Sequence, residues 1–226
     1  MATAPFKALL VEGTSGVGKS TLIDALIRRH VAESQPRKIR SLIHLAQSHT
    51  YGPLAPLEDR GTLTVADNVR HLERLVGMLE WLHASVQEHR KPWCFAVIDT
   101  LHITHCVRPG IVKWTDVAEI DERLAAIDCK LFLMTASPMN IWKQGIEARR
   151  GSQFLEEYAR KFGSSEEDIH RYFVREQETI GDSFSRSNLL KCQKSDEDTP
   201  EDIVDAVYKF WMDGAPERRR PLESLL

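Results

Sequence analysis

The stretch that most constrains this 226-residue chain lies near its amino terminus. Residues 9–21 read LLVEGTSGVGKST and contain the pattern G-x-x-x-x-G-K-S, also called Walker A. Glycines permit the backbone conformations that let a loop point several N–H groups at one anion. The lysine of such a loop reaches the β- and γ-phosphates of a nucleotide, and the serine hydroxyl binds Mg²⁺. The pattern therefore predicts a phosphate-binding loop made of Gly13, Thr14, Ser15, Gly16, Val17, Gly18, Lys19, Ser20 and Thr21.

The segments that flank this loop have the character that the motif requires. Ala8 to Val11 is a short apolar run, which is typical of a buried strand. Ser20 to Arg29 places its apolar residues on one face of a helix, whose positive end would turn toward the anion. A strand, a glycine-rich loop and a helix in this order favour a bound nucleoside triphosphate over a turn without a ligand.

Composition excludes several other classes of protein. A formal net charge of −3 argues against a dedicated nucleic-acid binder. The four cysteines form no C-x-x-C pair, which indicates buried free thiols in a reducing cytosol. The first residues lack the pattern of a signal peptide, and no apolar run reaches membrane-spanning length. We therefore expect a cytoplasmic protein with neither nucleic-acid nor membrane partners.

Apolar runs alternate with helical patterns along the whole chain. Further strands are predicted at residues 39–45, 93–99, 130–135 and 187–192, with helices between them. This alternation predicts a three-layer α/β fold in which helices cover both faces of a central parallel five-stranded sheet. We expect one domain over residues 1–212, with a helical lid at about 143–186, and a flexible tail over 213–226.

The segment after the second predicted strand is a candidate for contacts with a substrate. Gly52, Pro53 and Pro56 predict that it has no regular structure. Because ligands of open parallel sheets bind beyond the carboxyl ends of the strands, Gln47, His49 and Tyr51 become candidate substrate contacts. The alternative is a surface loop without a ligand.

A long helix is predicted to follow, from a capping box at Thr64 and Asp67 to about Glu88. Arg70 and Arg74 lie one turn apart on this helix and off its apolar stripe. They either face a substrate or belong to a solvated surface.

The third predicted strand ends in an acidic residue, Asp99. Such a strand delivers a carboxylate to the edge where the phosphate loop lies, where it would serve Mg²⁺ together with Ser20. The alternative is that Asp99 caps the next helix. His102 and His105 follow one turn apart and either line a substrate pocket or pack locally, since a zinc site would lack a third ligand. Arg108, shortly after them, is a further candidate substrate contact.

Two adjacent arginines, Arg149 and Arg150, precede Gly151 beyond the fourth predicted strand. Arginines in this position are candidates to close on the transferring phosphoryl group and to neutralise charge in the transition state. Alternatively, they are the cations that a helix favours near its carboxyl end.

With this order of elements, the chain resembles the thymidylate kinase and deoxynucleoside kinase group of phosphate-loop kinases. The matching features are Glu12-Gly13 leading into residues 16–21, Asp99 at the end of the third strand, and the arginine pair of the lid. Residues 195–203 resemble the segment that covers the adenine base. The resemblance implies ATP and Mg²⁺ as cofactors, transfer of a phosphoryl group to a nucleotide or nucleoside, and a homodimer.

The substrate motifs of that group differ from this sequence. Thymidylate kinases carry an aspartate where this chain has Ser15, and Asp-Arg where it has Asp99-Thr100, and that arginine would hold a substrate monophosphate. Deoxynucleoside kinases carry a glutamate base after the second strand and Glu-Arg-Ser after the third. The resemblance therefore implies the fold and ATP-dependent phosphoryl transfer more firmly than the acceptor.

The sequence thus favours a kinase with Lys19, Asp99, Arg149 and Arg150 as catalytic residues. If the acceptor is a hydroxyl group, Asp99 is the first candidate for the base, and Glu58 and Asp59 are the reserve. A kinase for another hydroxylated molecule, such as a natural product or antibiotic, and a nucleotide-dependent regulator remain as alternatives. A GTPase would need D-x-x-G at the third strand, where residues 99–102 read DTLH.

Overall fold

The computed structural model describes residues 6–33, 41–89, 94–107, 112–163 and 165–213. Strand β1 (Phe6–Glu12) leads through the glycine-rich loop into helix α1 (Lys19–Glu33). Strand β2 (Leu42–Leu45) is followed by two short helices, α2 (Gln47–Thr50) and α3 (Ala55–Asp59), and by the long helix α4 (Val65–His89). Strand β3 (Cys94–Asp99), the one-turn helix α5 (His102–His105) and helix α6 (Trp114–Ala126) come next.

The second half of the chain continues the same alternation. Strand β4 (Lys130–Thr135) leads into helix α7 (Pro138–Ile141), which runs on as a π-helical turn (Trp142–Ile146) and a 3-10 turn (Glu147–Arg149). Helices α8 (Gln153–Phe162) and α9 (Glu166–Arg186), strand β5 (Leu190–Ser195) and helix α10 (Pro200–Asp213) complete the described fold.

All five strands are parallel and lie in the order β2-β3-β1-β4-β5. Strand β1 is therefore central, with β3 on one side and β4 on the other. The register pairs Val11 with Asp99, so β1 and β3 end at the same level. The predicted five-stranded parallel sheet and the α/β fold class are confirmed.

Alternate residues of the strands serve two separate cores, because side chains of a strand point to opposite faces in turn. One face carries Leu10 and Ile98 and packs against α4, α6 and the carboxyl-terminal part of α9. The other face carries Leu9 and Val97 and packs against α1 and α10. Trp211 of α10 is fully buried there. The three predicted layers are thus present.

A third apolar cluster, which we call the lid cluster, lies outside the two sheet cores. It joins the elements after β4 to the phosphate loop and consists of Val17, Ala136, Ile141, Ile146, Leu155, Ile169 and Phe173. Because Val17 belongs to the loop and the other members follow β4, burial of this apolar surface holds the predicted lid region against the loop.

The segment after β2 differs from its prediction. It was predicted to be irregular, but residues 47–50 and 55–59 form the helices α2 and α3. Gly52 and Pro53 fall between the two helices, and Pro56 occupies the first turn of α3, where a missing N–H leaves no hydrogen bond unmade. The turn-forming residues therefore separate and start helices here and do not exclude them.

The predicted capping box and the predicted free state of the cysteines are confirmed. Thr64 and Asp67 form the capping box, because the Asp67 N–H donates to Thr64 Oγ1 at 3.1 Å and the Thr64 N–H donates to Asp67 Oδ2 at 3.2 Å. All four cysteines are free thiols. No helix in the described ranges is long and apolar enough to span a membrane. Residues 214–226 of the predicted tail lie outside the described residues, and the single domain stays a prediction.

A buried acid, Asp121 of α6, ties three elements together. Its carboxylate accepts hydrogen bonds from His102 Nε2 at 2.9 Å, from Ser187 Oγ at 2.6 Å and from the Asn188 N–H at 2.8 Å. Burial alone would raise the pKa of Asp121, but these hydrogen bonds outweigh it and hold the pKa below its usual value.

Replacement of Asp121 by alanine would leave these donors buried without an acceptor. We expect Asp121→Ala to lower the free energy of unfolding at neutral pH by about 2–4 kcal/mol, measured by urea unfolding. Glu122→Ala, at an exposed position of the same helix, should change it by less than about 0.5 kcal/mol.

The same pair of proteins gives a pH test. Because folding lowers the pKa of Asp121, its stabilising contribution is complete above the unfolded pKa of about 3.9 and is lost as the pH falls below it. The stability gap between wild type and Asp121→Ala should therefore narrow on acidification. A gap that widens on acidification would contradict this role.

Candidate functional site

The phosphate loop has a backbone that only glycine tolerates at two points. Gly13 has φ +149°, and a Cβ atom there would lie 2.5 Å from the Met134 carbonyl oxygen of β4. Gly16 has φ +87°, and a Cβ atom there would lie 2.8 Å from Gly145 Cα. Any larger residue would force the loop away from β4 or from the π-helical turn. The glycines identified in the sequence are therefore needed for the conformation of the loop.

Lys19 closes the loop onto itself. Its Nζ donates to the carbonyl oxygens of Gly13 at 2.7 Å and of Thr14 at 2.9 Å. Burial lowers the pKa of Lys19, while the charges of Asp99, Glu176 and Glu12 oppose that shift. The charges of three carboxylates thus favour the ammonium form of Lys19, which lies where the pattern G-x-x-x-x-G-K-S places the lysine that contacts phosphates.

Asp99 stands at the end of β3 directly beside this loop, because the register pairs it with Val11. It is only 6% exposed, and its Oδ1 atom has no hydrogen-bond partner among the residues that the structure describes. Burial raises the pKa of Asp99, and the charges of Lys19 and His44 oppose the rise. Helix α5 has Leu101 as its N-cap residue, without a side-chain cap, so Asp99 does not cap it.

These residues fit a magnesium ion that is shared with phosphates. An orphaned buried carboxylate oxygen on Asp99 and the exposed hydroxyl of Ser20 offer the oxygen ligands that Mg²⁺ prefers. Within the described part of the chain, no group of three or more His, Cys, Asp and Glu side chains could hold a metal by itself. This matches an ion that keeps waters and phosphate oxygens as most of its ligands.

Glu12, the last residue of β1, fixes the segment that follows β3. Its fully buried carboxylate accepts a hydrogen bond from the Leu101 N–H at 2.8 Å and one from Thr104 Oγ1. Burial raises the pKa of Glu12 despite these hydrogen bonds. The neighbouring Thr100 has φ +59°, a left-handed conformation that costs a β-branched residue energy. The carboxylate thus helps to hold a strained turn directly behind Asp99.

The two predicted lid arginines, Arg149 and Arg150, make different contacts. The Arg149 guanidinium lies 4.2 Å from the centre of the Phe154 ring, and its charge acts on Lys19. Arg150 instead forms an exposed ion pair with Glu166 at 2.8 Å. Arg149 thus packs on an aromatic ring and its charge contributes to lowering the pKa of Lys19, whereas Arg150 is engaged with an acid on the surface.

A buried acid of helix α9, Glu176, was missed by sequence reasoning. Its Oε2 atom accepts a hydrogen bond from the Ser15 N–H at 3.0 Å and one from Thr14 Oγ1. The adjacent Gln177 holds the helix in place, because its side-chain amide bonds the Ala136 N–H at 2.8 Å and the Ala136 carbonyl at 2.9 Å. A carboxylate thus lies directly on the phosphate loop. Only its position inside an amphipathic helical pattern was visible in the sequence.

The candidate substrate contacts after β2 and on α4 are scattered. Gln47 and His49 are exposed, and Tyr51 is buried with its ring edge-on to His105 at 5.3 Å. Arg70 forms a surface ion pair with Asp67 at 3.7 Å, and Arg74 is exposed.

The remaining candidates lie elsewhere. His102 is fully buried against Asp121, and His105 Nδ1 lies 3.1 Å from Asn68 Oδ1, so both histidines pack locally. The reserve bases Glu58 and Asp59 both pair with Lys161. Arg108 lies outside the described residues.

Comparison with known proteins gives a match in structure but not in sequence. No family model matches the chain, and no curated protein matches it in sequence. The YorR protein of Bacillus subtilis, solved in complex with phosphorylated GDP, superposes with a TM-score of 0.54 at 14% identity, over 88% of this chain and 92% of that one. Thymidylate kinase from Ehrlichia chaffeensis superposes with a TM-score of 0.50 at 11% identity, over 90% of this chain and 97% of that one. At these identities the matches show the fold alone, which this chain shares with both proteins.

The contact of the loop with the π-helical turn can be tested by a pair of glycine substitutions. Gly16→Ala and Gly151→Ala both place alanine at positive φ, but no atom lies within 4 Å of a Cβ at Gly151. We expect Gly151→Ala to cost about 1–2 kcal/mol of unfolding free energy. Gly16→Ala should cost about 1–3 kcal/mol more, because its Cβ meets backbone. Equal losses in urea unfolding would show that the close approach is unimportant.

Proposed function

We propose that this protein is an ATP-dependent kinase that transfers the γ-phosphoryl group to a nucleotide- or nucleoside-type acceptor. The observation that carries the proposal is the pairing of the glycine-rich loop and Lys19 with Asp99 across the register of β1 and β3. The fold shared with a thymidylate kinase supports phosphotransfer over other uses of a phosphate loop. The cytoplasmic location and the homodimer stay predictions.

In this proposal the loop amides and Lys19 hold the β- and γ-phosphates of the donor. Lys19 would exchange the carbonyl oxygens of Gly13 and Thr14 for phosphate oxygens, which is favourable because an ammonium–phosphate bond is charge-assisted. Ser20 and Asp99 would hold Mg²⁺. When bound, that ion supplies positive charge to the phosphates in the transition state.

The lid region would complete the site. The hydroxyl groups of Tyr158 and Ser15 lie 3.1 Å apart, and the lid cluster seals one side of the loop. Exclusion of water strengthens electrostatic interactions at the phosphates and suppresses hydrolysis, so a closed lid favours transfer to an acceptor. A purely regulatory NTPase has no need for this arrangement.

The first test is an ADP-release screen over nucleosides, nucleoside monophosphates and hydroxylated natural products. Lys19→Ala should abolish transfer while the fold persists, because no other described cation contacts the loop carbonyls. Lys209→Ala, at an exposed position of α10, should retain full activity. Activity retained in Lys19→Ala would remove the loop from the mechanism.

The donor can be identified in the same preparation. A bound ligand raises the melting temperature by mass action, so ATP with Mg²⁺ should stabilise the wild type. GTP belongs in the panel because the YorR structure holds a guanine nucleotide. Stabilisation by GTP alone would favour a nucleotide-dependent switch over the proposed kinase.

The lid arginines provide a matched pair of variants. We expect Arg149→Ala to lower kcat about tenfold to a thousandfold with a smaller effect on ATP affinity, because the charge of Arg149 acts at Lys19 and would act on the phosphates that Lys19 holds. Arg150→Ala should leave kcat within about twofold, because Arg150 is engaged with Glu166 on the surface. Steady-state kinetics check both. A larger loss of kcat in Arg150→Ala than in Arg149→Ala would contradict the proposed role of Arg149.

A further inference from the structure

Helix α9 lines a cavity of about 520 Å³ beside the phosphate loop. Residues of one stripe of this helix form most of its wall, together with Val107 and Phe162: Asp168, Arg171, Tyr172, Arg175, Glu176 and Thr179. The volume is within the range of small-molecule sites. Because Glu176 belongs both to this wall and to the contacts of the loop, the cavity adjoins the phosphate loop at Ser15.

The two oxygens of the Glu176 carboxylate have different surroundings. Both hydrogen bonds from the loop, from the Ser15 N–H and from Thr14 Oγ1, go to Oε2. In the described part of the structure, the Oε1 atom of Glu176 has no hydrogen-bond partner. Glu176 is nevertheless a buried residue, with 8% of its surface exposed. One oxygen is thus anchored, and the other is left to accept a proton at the junction of loop and cavity.

The charges of the cavity wall favour an uncharged acceptor at this point. Glu176 and Asp168 are matched by Arg171 and Arg175, and Arg171 is already paired with Asp168. The four charges therefore cancel. An acceptor phosphate next to Glu176 would add about −2 beside a carboxylate and beside the γ-phosphate itself, whereas a hydroxyl group adds none.

An aromatic surface lies in the same wall. The rings of Phe162 and Tyr172 stack with centroids 3.8 Å apart and an interplanar angle of 15°. Such a pair offers an apolar face to a flat ring, and its rigid rings lose little conformational entropy on binding.

We propose that this cavity is the acceptor site, that the acceptor is a neutral, ring-bearing alcohol such as a nucleoside, and that Glu176 is the base that activates its hydroxyl group. The inference rests on the proposed kinase function and deepens it. It also separates two roles that the sequence assigned to one residue. Asp99 would help to bind Mg²⁺, and Glu176 would accept the proton of the acceptor hydroxyl group.

The step balances as follows. The acceptor O–H bond breaks and its proton passes to Glu176 Oε1, while the acceptor oxygen forms a bond to the γ-phosphorus. The bond between the γ-phosphorus and the β,γ-bridging oxygen breaks, and its electron pair leaves with ADP. Arg175, which has no acidic partner in the described structure, lies in the wall where it can donate to other oxygens of the acceptor.

The first experiment compares matched acceptors with the wild-type protein. Each nucleoside is assayed for ADP release beside its own 5′-monophosphate, and ring-bearing natural-product alcohols are included. We expect turnover with an alcohol and at least tenfold less with every monophosphate. Preferred use of a monophosphate would overturn this inference and leave the kinase function standing. Absence of ADP release with all acceptors would overturn both.

The second experiment uses an isosteric change. Glu176→Gln keeps an oxygen that can accept from Ser15 and Thr14 but removes the base, so kcat should fall about a hundredfold or more. Stabilisation of the protein by ATP and the KM for ATP should change little. The control is Glu178→Gln, at an exposed position of the same helix.

Two results of this second experiment would overturn the role of Glu176. One is an unchanged kcat. The other is a loss that appears only as a higher KM for ATP, which would make Glu176 a support of the loop. If Glu176→Gln does not fold, the acceptor comparison in the wild type still decides the acceptor class.

Discussion

The phosphate loop depends on one ammonium group, which two loop carbonyls hold and whose charge three buried carboxylates favour. Lys19 Nζ donates to the Gly13 and Thr14 carbonyls, and the charges of Asp99 on β3, Glu176 on α9 and Glu12 on β1 all favour its charged form. Burial makes the ionised form of each of these carboxylates costly in free energy, and the positive charge of Lys19 reduces that cost. A polyphosphate that enters must be compensated by the same lysine and by the loop amides. In the proposed function, nucleotide binding is therefore linked to the positions of three separate elements.

Sequence reasoning was most successful where the physical cause is local. The apolar run before Gly13 and the amphipathic run after Lys19 fix a strand and a helix by themselves. The position of Asp99 also followed from pattern, since a buried parallel strand must end at the edge of the sheet where the loop lies. Thr64 and Asp67 specified their helix start within four residues of chain.

The parts that sequence could not supply depend on contacts over long separations. Glu176 meets Ser15 across 161 residues, and no local pattern marks that contact. Arg149 and Arg150 are adjacent in sequence, but Arg149 ends the 3-10 turn and packs on Phe154, whereas Arg150 follows it and pairs with Glu166. His102 had the chemistry of a substrate contact, yet its burial against Asp121 follows from the packing of α5 on α6. Side-chain direction at such points is a property of tertiary packing.

Helix α9 belongs to two parts of the molecule at once. Ile169 and Phe173 near its start pack in the lid cluster, whereas Ile180 and Phe184 near its end are anchored in the sheet core. Its 21 residues form a rod of about 30 Å, and such a rod bends little over its length. Glu176 lies at the middle of the helix, between the two packed parts. A small tilt about the sheet end would move the start of the helix about two to three times as far as Glu176, so the entrance of the cavity would widen more than the contact with Ser15 lengthens.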